Sequence, residues 1–504
     1  MTLAVTLIML LIYFGGLAFC IFSNPMPKSN FEEYAVGGRS FGWPFITMTI
    51  IGTWYPGSLL IGWAQMGHDM GVSVMYLGFY TLGGLFVFLL MAGRLWKLGV
   101  KYDLKTMGQF FQLRYKSRPL RVFGGASVLL IEFPWVITEL LAAGYAMQVM
   151  TQGRLPFNVG MALICFFFLL YIMFAGTRAV IIADFYQGWM FMIGGIVLFV
   201  TAIFFFWDSP ADMFGQVRNL GEELLTIPGP DTYWGEAPGG LFWTSLIMMG
   251  ILGGYMWPSL FSRIFAAGST KDLKASLRIT PFMAPVFTVL VFAVAIGSSS
   301  QTAFGQDDTA YALVEMISAM GPVAMGIIAC IILAGALSMM DSMISAWAIV
   351  FSNDVVTPFK PEISPKTQVT MARVIAVIIG VSGLLIAMTD LPTIVQILTR
   401  VYQAIVQVFP AVFLGLFWKR GNKIGAWASI IVGYGLVIYF AWTQPDSVPF
   451  LDGLQGGLLA VGIAAVVYII CGLIFKPDPG VDKLFEDMKL PDDQIVREEM
   501  PPLH

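Results

Sequence analysis

Apolar residues in this chain come in long runs, parted by short polar stretches that hold most of the charge. The first run, 3–22, has no basic residue ahead of it and no small-residue cleavage signature, so it reads as a retained leading helix. Twelve more runs follow, at 42–66, 73–93, 121–149, 157–176, 180–206, 241–263, 280–304, 322–352, 369–388, 391–417, 424–442 and 454–475. Crossing the hydrocarbon core takes a helix of roughly 20 apolar residues. The pattern therefore predicts an all-α polytopic membrane protein with 13 transmembrane helices.

The basic residues orient this layout. With the N-terminus outside, Lys28, Arg39, the cluster from Arg94 to Arg121, Arg178, and the loops holding Arg263–Arg278, Lys360–Arg373 and Lys419–Lys423 all fall inside. Only Arg154 and Arg218 fall outside, and Arg400 lies within a span. A missed helix would invert every later loop, so the positive-inside rule supports both the count and a cytoplasmic C-terminus in the plasma (inner) membrane. The chain then divides into a leading helix and inner loop (1–40), two halves (41–206 and 241–417) joined by an outer loop (207–240), two accessory helices (418–475) and a polar inner tail (476–504). The outer loop reads as a solvated, mildly acidic cover. The proline-bearing tail reads as disordered.

Two spans carry their own interruptions. Gly52, Pro56 and Gly57 fall in the middle of the first, and Gly250, Gly253, Gly254 and Pro258 in the middle of the sixth. Proline removes an amide donor and clashes with the preceding turn, and glycine weakens the helix around it. Backbone groups freed at mid-membrane need protein, water, an ion or a solute to satisfy them. A plain proline kink would account for either break alone. Two breaks five spans apart, entered from opposite sides, are what a 5+5 inverted repeat requires, with a binding site between its broken first and sixth core helices.

Composition excludes several alternatives. The 504 residues are 58% hydrophobic and 12% charged, with a mean hydropathy of +0.79. A net charge of −3 gives no reason to expect nucleic acid. Cys20, Cys165, Cys330 and Cys471 lie far apart within apolar runs, which suggests neither disulfides nor a zinc site. With only His68 and His504, haem or histidine-ligated metal catalysis is disfavoured. The 30 methionines follow no repeated spacing and read as core filler. His68, beside Gln65 and Asp69, is given no role.

Three stretches resemble the sodium:solute symporter family, which has a LeuT-type fold: Tyr34–Ser40 before the first span, Gly176–Gln187, and Ala334–Ser342 running on to Ser352-Asn353-Asp354. The likeness covers about residues 1–475 and fits the thirteen-helix layout. It implies a sodium site built from the carbonyls of Gly52, Tyr55 and Gly335 and the hydroxyl of Ser338. Oxygen ligands suit a hard cation, but Met339 stands where many members have a second hydroxyl, and a thioether is a poor sodium ligand. It also implies a further cation site at Asp184, Ser338, Asp341 and Ser342; the last three share one helix face. Asp341 is an acid where a hydroxyl is expected. Three readings stay open: sodium between Asp184 and Asp341, a proton carried by Asp341, or Asp341 paired with Arg178 or Arg263 as a gate lock.

For the solute, the third span offers Glu132, Trp135 and Glu139, and the family uses this helix in its pocket. Thr53, Trp54, Gly57, Tyr255 and Trp257 line the breaks, and Gln403 comes from the tenth span. Aromatic faces beside a carboxylate suit an organic cation. Arg400 pairs either with a glutamate or with a solute carboxylate, which would admit a zwitterion. The expectation is secondary active transport: cation-coupled symport of a small polar organic solute, with Na+ as coupling ion and H+ as the alternative. Solute and lipid bilayer are the partners, and no cofactor is expected. An enzyme would need a nucleophile–base or metal constellation, and a sensor a folded output domain; neither is present in the sequence. Substrate identity and oligomeric state are not legible.

Overall fold

The computed structural model describes residues 2–24, 31–173, 176–230, 239–306, 308–389, 391, 394–443, 448, 451, 453–498 and 500. Lys28, residues 231–238 of the outer loop, and the Pro501-Pro502 and His504 end of the tail lie outside the described residues. The described residues are predominantly helical: α1 (Thr2–Phe22), α2 (Phe31–Val36), α3 (Trp43–Trp54), α4 (Gly62–Met70), α5 (Tyr76–Lys101), α6 (Met107–Tyr115), α7 (Arg118–Met150), α8 (Phe157–Ile172), α9 (Thr177–Trp189), α10 (Ile196–Phe206) and α11 (Pro210–Leu220). There follow α12 (Gly240–Gly253), α13 (Pro258–Ala266), α14 (Thr270–Ser298), α15 (Ala312–Ala319), α16 (Pro322–Val350), α17 (Pro365–Ala387), α18 (Ile394–Ile405), α19 (Phe409–Phe417), α20 (Lys423–Thr443), α21 (Gly456–Ile474) and α22 (Val481–Asp487). Among the described residues, β-structure is limited to two isolated bridges.

Among the described residues, eleven helical runs are long and apolar enough to cross a membrane. The stretch expected at 157–176 forms a shorter apolar helix, and the first expected span is divided between α3 and α4. The most interior run is α16 with its π-helical continuation Phe351–Val356, 89% buried over its apolar window. α7 lies along it, and α3, α9, α13 and α17 pack around it.

Both expected breaks are present. α3 stops at Trp54; Tyr55 (φ −108°, ψ 84°) leaves the helical region, Pro56 is extended (ψ 160°), and a 3-10 turn, Gly57–Leu60, leads into α4. α12 stops at Gly253, Trp257 is extended (ψ 128°), and Pro258 occupies the first turn of α13. Proline suits that position because its missing N–H would have no helical partner there.

The tail departs from its expected disorder. α22 buries Val481, Leu484 and Phe485, an i, i+3, i+4 stripe. Asp487 accepts Lys101 Nζ at 2.6 Å and Tyr102 OH at 2.5 Å, and the Glu498 amide bonds to the Lys101 carbonyl. The outer loop also holds structure: α11 buries Met213 and Val217.

Candidate functional site

The first break rests on α16 through backbone contact. A Cβ at Gly335 would lie 2.8 Å from the Pro56 carbonyl carbon, and one at Gly52 would lie 2.6 Å from Ser338 Oγ. Only glycine permits such approach, and small residues are what let membrane helices close on one another. The approach brings Gly52, Gly335 and Ser338 together. The Tyr55 side chain turns the other way: its hydroxyl donates to the Ala284 carbonyl at 2.9 Å and accepts from Thr288 at 2.7 Å. Met339 is buried beside Ser338.

Asp184, on α9, is the hub of a buried polar cluster. Its carboxylate accepts Thr49 Oγ1 at 2.5 Å, Ser338 Oγ at 2.5 Å and Ser342 Oγ at 3.4 Å. Ser342 also meets Thr53 Oγ1 at 2.9 Å. The guanidinium of Arg263, from α13, enters this cluster, reaching Asp184 Oδ2 at 3.3 Å and bonding to Ser342 Oγ. Asp341 lies within electrostatic reach of Asp184 and Arg263. One of its oxygens accepts from Tyr171 OH, and the other, Oδ2, is buried without a partner. The gate-lock expectation is therefore corrected: Arg263 pairs with Asp184, and Arg178 is exposed and donates to Ser40. A buried ion is held only when its partners are close, and Asp184 supplies more of them to Arg263 than Asp341 does.

An aromatic layer lies between the two breaks. Trp54 stacks on Tyr255 with ring centroids 5.0 Å apart, and Tyr255 stacks in turn on Phe88 at 4.0 Å. Trp135, Trp257 and Tyr402 pack edge to face, with centroids 5.4–6.3 Å apart. Trp54 Nε1 donates to Thr81 at 2.8 Å. Two polar atoms in this layer are buried without partners, Tyr255 OH and Trp135 Nε1. Buried polar atoms in proteins are nearly always bonded, so each orphaned atom is a signal for a polar ligand.

Several expected pocket residues are committed elsewhere. Glu139 accepts the Ser58 hydroxyl at 2.5 Å and its amide at 3.3 Å. Glu132 accepts Ser259 Oγ and Trp347 Nε1, each at 2.8 Å. Arg400 is exposed on α18, and it is not among the partners described for Glu132 or Glu139. Gln403 accepts the Gly457 amide at 3.1 Å and so faces α21. Thr49, Ser58 and Tyr171 were missed in the sequence. Thr49 precedes Gly52 by one turn, and Ser58 follows the break directly, so both had a positional signal.

Two small voids lie near this part of the molecule. A void of about 10 Å³ beside Trp63, Tyr80, Leu398 and Tyr402 lies toward one end. Another of about 10 Å³, beside Lys105, Pro258, Ser262 and Asp354, lies toward the end that carries the basic loops. Each holds one water at most. At the basic end Asp354 closes a network with Arg121 at 3.1 Å and Thr106 at 2.8 Å.

A family profile, "Sodium:solute symporter family", matches residues 34–433, and the chain belongs to that family. It is 26% identical to the sodium/pantothenate symporter of Escherichia coli (strain K12), covering 80% of this chain and 83% of that one. It is also 26% identical to the high-affinity proline transporter PutP of Bacillus subtilis (strain 168), covering 91% and 96%. Among solved structures, a Na+-coupled sialic acid symporter in a substrate-bound outward-open state matches with a TM-score of 0.76 at 17% identity, covering 94% of this chain and 98% of that one. MhsT in complex with L-phenylalanine matches with a TM-score of 0.52 at 13% identity, covering 86% and 99%. The fold is that of the LeuT-type transporters.

Proposed function

We propose that this family member is a cation-coupled symporter, carrying a small polar organic solute with sodium by alternating access. The observation that carries the reading is the meeting of two broken spans at Trp54 and Tyr255, one residue on from Thr53, which joins the Asp184 cluster. In this reading the membrane is crossed thirteen times, with the N-terminus outside and the C-terminus cytoplasmic in the plasma membrane. Residues 41–206 and 241–417 form the inverted repeats. The positive-inside pattern supports that arrangement.

Sodium takes oxygen from the carbonyls of Gly52, Tyr55 and Gly335 and the hydroxyl of Ser338, with Asp184, Asp341 and Ser342 completing the cation region. Two carboxylates and one guanidinium share this region, which leaves room for one further positive charge, an ion or a proton. The names of the pantothenate, proline and sialic acid relatives support sodium and a small organic cargo. The solute lies against Thr53, Trp54, Gly57, Trp135, Tyr255 and Trp257. With Glu139 and Arg400 engaged elsewhere or exposed, this surface offers neutral donors and aromatic faces, which favours an uncharged or zwitterionic solute over a bare cation.

A second reading is coupling to a proton on Asp341. It is favoured by the unpartnered Oδ2 and by Met339 in place of an oxygen ligand. Radiolabelled uptake into proteoliposomes, with sodium and pH gradients imposed separately, tests both against a panel of amino acids, amines, sugars and carboxylates. Accumulation driven by sodium alone is expected. Accumulation driven only by pH selects the proton reading, and no gradient-driven accumulation of any solute refutes the carrier.

A further inference from the structure

Glu132 and Glu139 are both fully buried on α7, and neither touches the cation cluster. Seven residues apart, they share one face and stand about 10 Å from each other along the helix. Each grips the start of the second half of a broken span. Glu139 takes the hydroxyl and amide of Ser58, two residues after Pro56. Glu132 takes the hydroxyl of Ser259, one residue after Pro258, and ties it to α16 through Trp347. First-turn amides lack helical partners and carry partial positive charge, so a carboxylate is the side chain that binds them best.

The two gripped segments serve different ends of the molecule. The one after Pro56 leads into α4, whose Trp63 lines the void away from the basic loops. The one beginning at Pro258 is α13, whose Pro258 and Ser262 line the void at the basic end. One continuous helix thus holds both, by the same chemistry, two turns apart.

We propose that Glu132 and Glu139 are paired positioning residues that latch opposite ends of the pathway. Glu139 holds the α4 half closed, and Glu132 holds α13 closed. Alternating access, on which this rests, then requires each latch to yield in turn while α7 stays in place. Glutamine is a poor substitute, because one of its two acceptors becomes an amide donor facing a donor.

The test uses the full-length chain in membranes, with the four native cysteines replaced by alanine and one reporter added, either Leu398→Cys or Ser262→Cys. A membrane-impermeant maleimide is applied from each side. Glu139→Gln and Ser58→Ala are expected to raise labelling at 398 roughly tenfold, about the worth of one charge-assisted hydrogen bond, while 262 stays unchanged. Glu132→Gln and Ser259→Ala are expected to do the reverse. Combining Glu139→Gln with Ser58→Ala should add little to either alone, since both remove one interaction. The serine variants change little volume and keep the test open if a glutamine variant fails to fold. Equal movement of both reporters, or of neither, overturns the latches. Labelling needs no solute or gradient, so it fails or succeeds independently of the uptake assay: sided labelling without uptake refutes the carrier alone.

Discussion

Asp341 shows how far a single residue can be read from sequence. Its presence among hydroxyl positions was legible, and so was its shared face with Ser338 and Ser342. Its partner was not, because Tyr171 lies 170 positions away and no local spacing links α8 to α16. We expect Asp341→Asn to abolish gradient-driven uptake while the protein keeps its elution profile in detergent; full coupling in that variant would remove Asp341 from the mechanism. Gly335 makes a second residue-scale case. Its Cβ would press on the Pro56 carbonyl carbon from 2.8 Å, and overpacking of this kind costs about 1–3 kcal/mol. Gly335→Ala should therefore lower the melting temperature and cut uptake sharply, whereas Gly462→Ala, with open space at that position, should do neither.

At the scale of elements, the breaks were legible because proline and glycine act on the backbone wherever they stand. Faces were less so. Gln403 and Arg400 sit in the right helix, but α18 turns the first toward α21 and leaves the second exposed, and helical phase in an apolar segment gives little warning of that. The tail was misread for the opposite reason: its polar, proline-bearing composition hid a three-residue stripe. Its docking has a pH signature. Burial pushes the Asp103 carboxyl up, but Lys105, Arg39 and Arg497 outweigh it and hold it below the usual carboxylate range. Lys483 and Lys101 likewise hold Glu498 low. Groups with lowered folded values stabilise the docked tail above their ordinary titration near pH 4, and that stabilisation is lost as pH falls through the folded values. Limited proteolysis should find the tail protected at pH 7 and increasingly cut below about pH 4. Equal protection at both would separate docking from these charges.

At the scale of the whole molecule, the basic end holds a buried network whose two sides the sequence could not bring together. Ser352-Asn353-Asp354 stood out as a motif, yet Arg121 and Thr106 lie more than 200 positions upstream. In the fold, the π-helical end of α16 sets Asp354 against both, and a Cβ at Gly125 would come within 2.9 Å of the Asp354 side chain. α16 also carries Gly335, Ser338 and Asp341, so a force that frees its end from α6 and α7 reaches the Asp184 cluster through one rigid helix. Removing one partner of a buried ion pair costs about 3–5 kcal/mol, because the other charge is left uncompensated. Asp354→Asn leaves Arg121 in that position and should loosen the packing of the basic end. A carrier that cannot close at one end equilibrates its solute instead of concentrating it. We therefore expect Asp354→Asn to keep downhill efflux of preloaded solute from proteoliposomes while losing accumulation against a gradient, and to quicken maleimide labelling of a reporter at Ser262→Cys. Wild-type accumulation in this variant would show that the network only braces the fold.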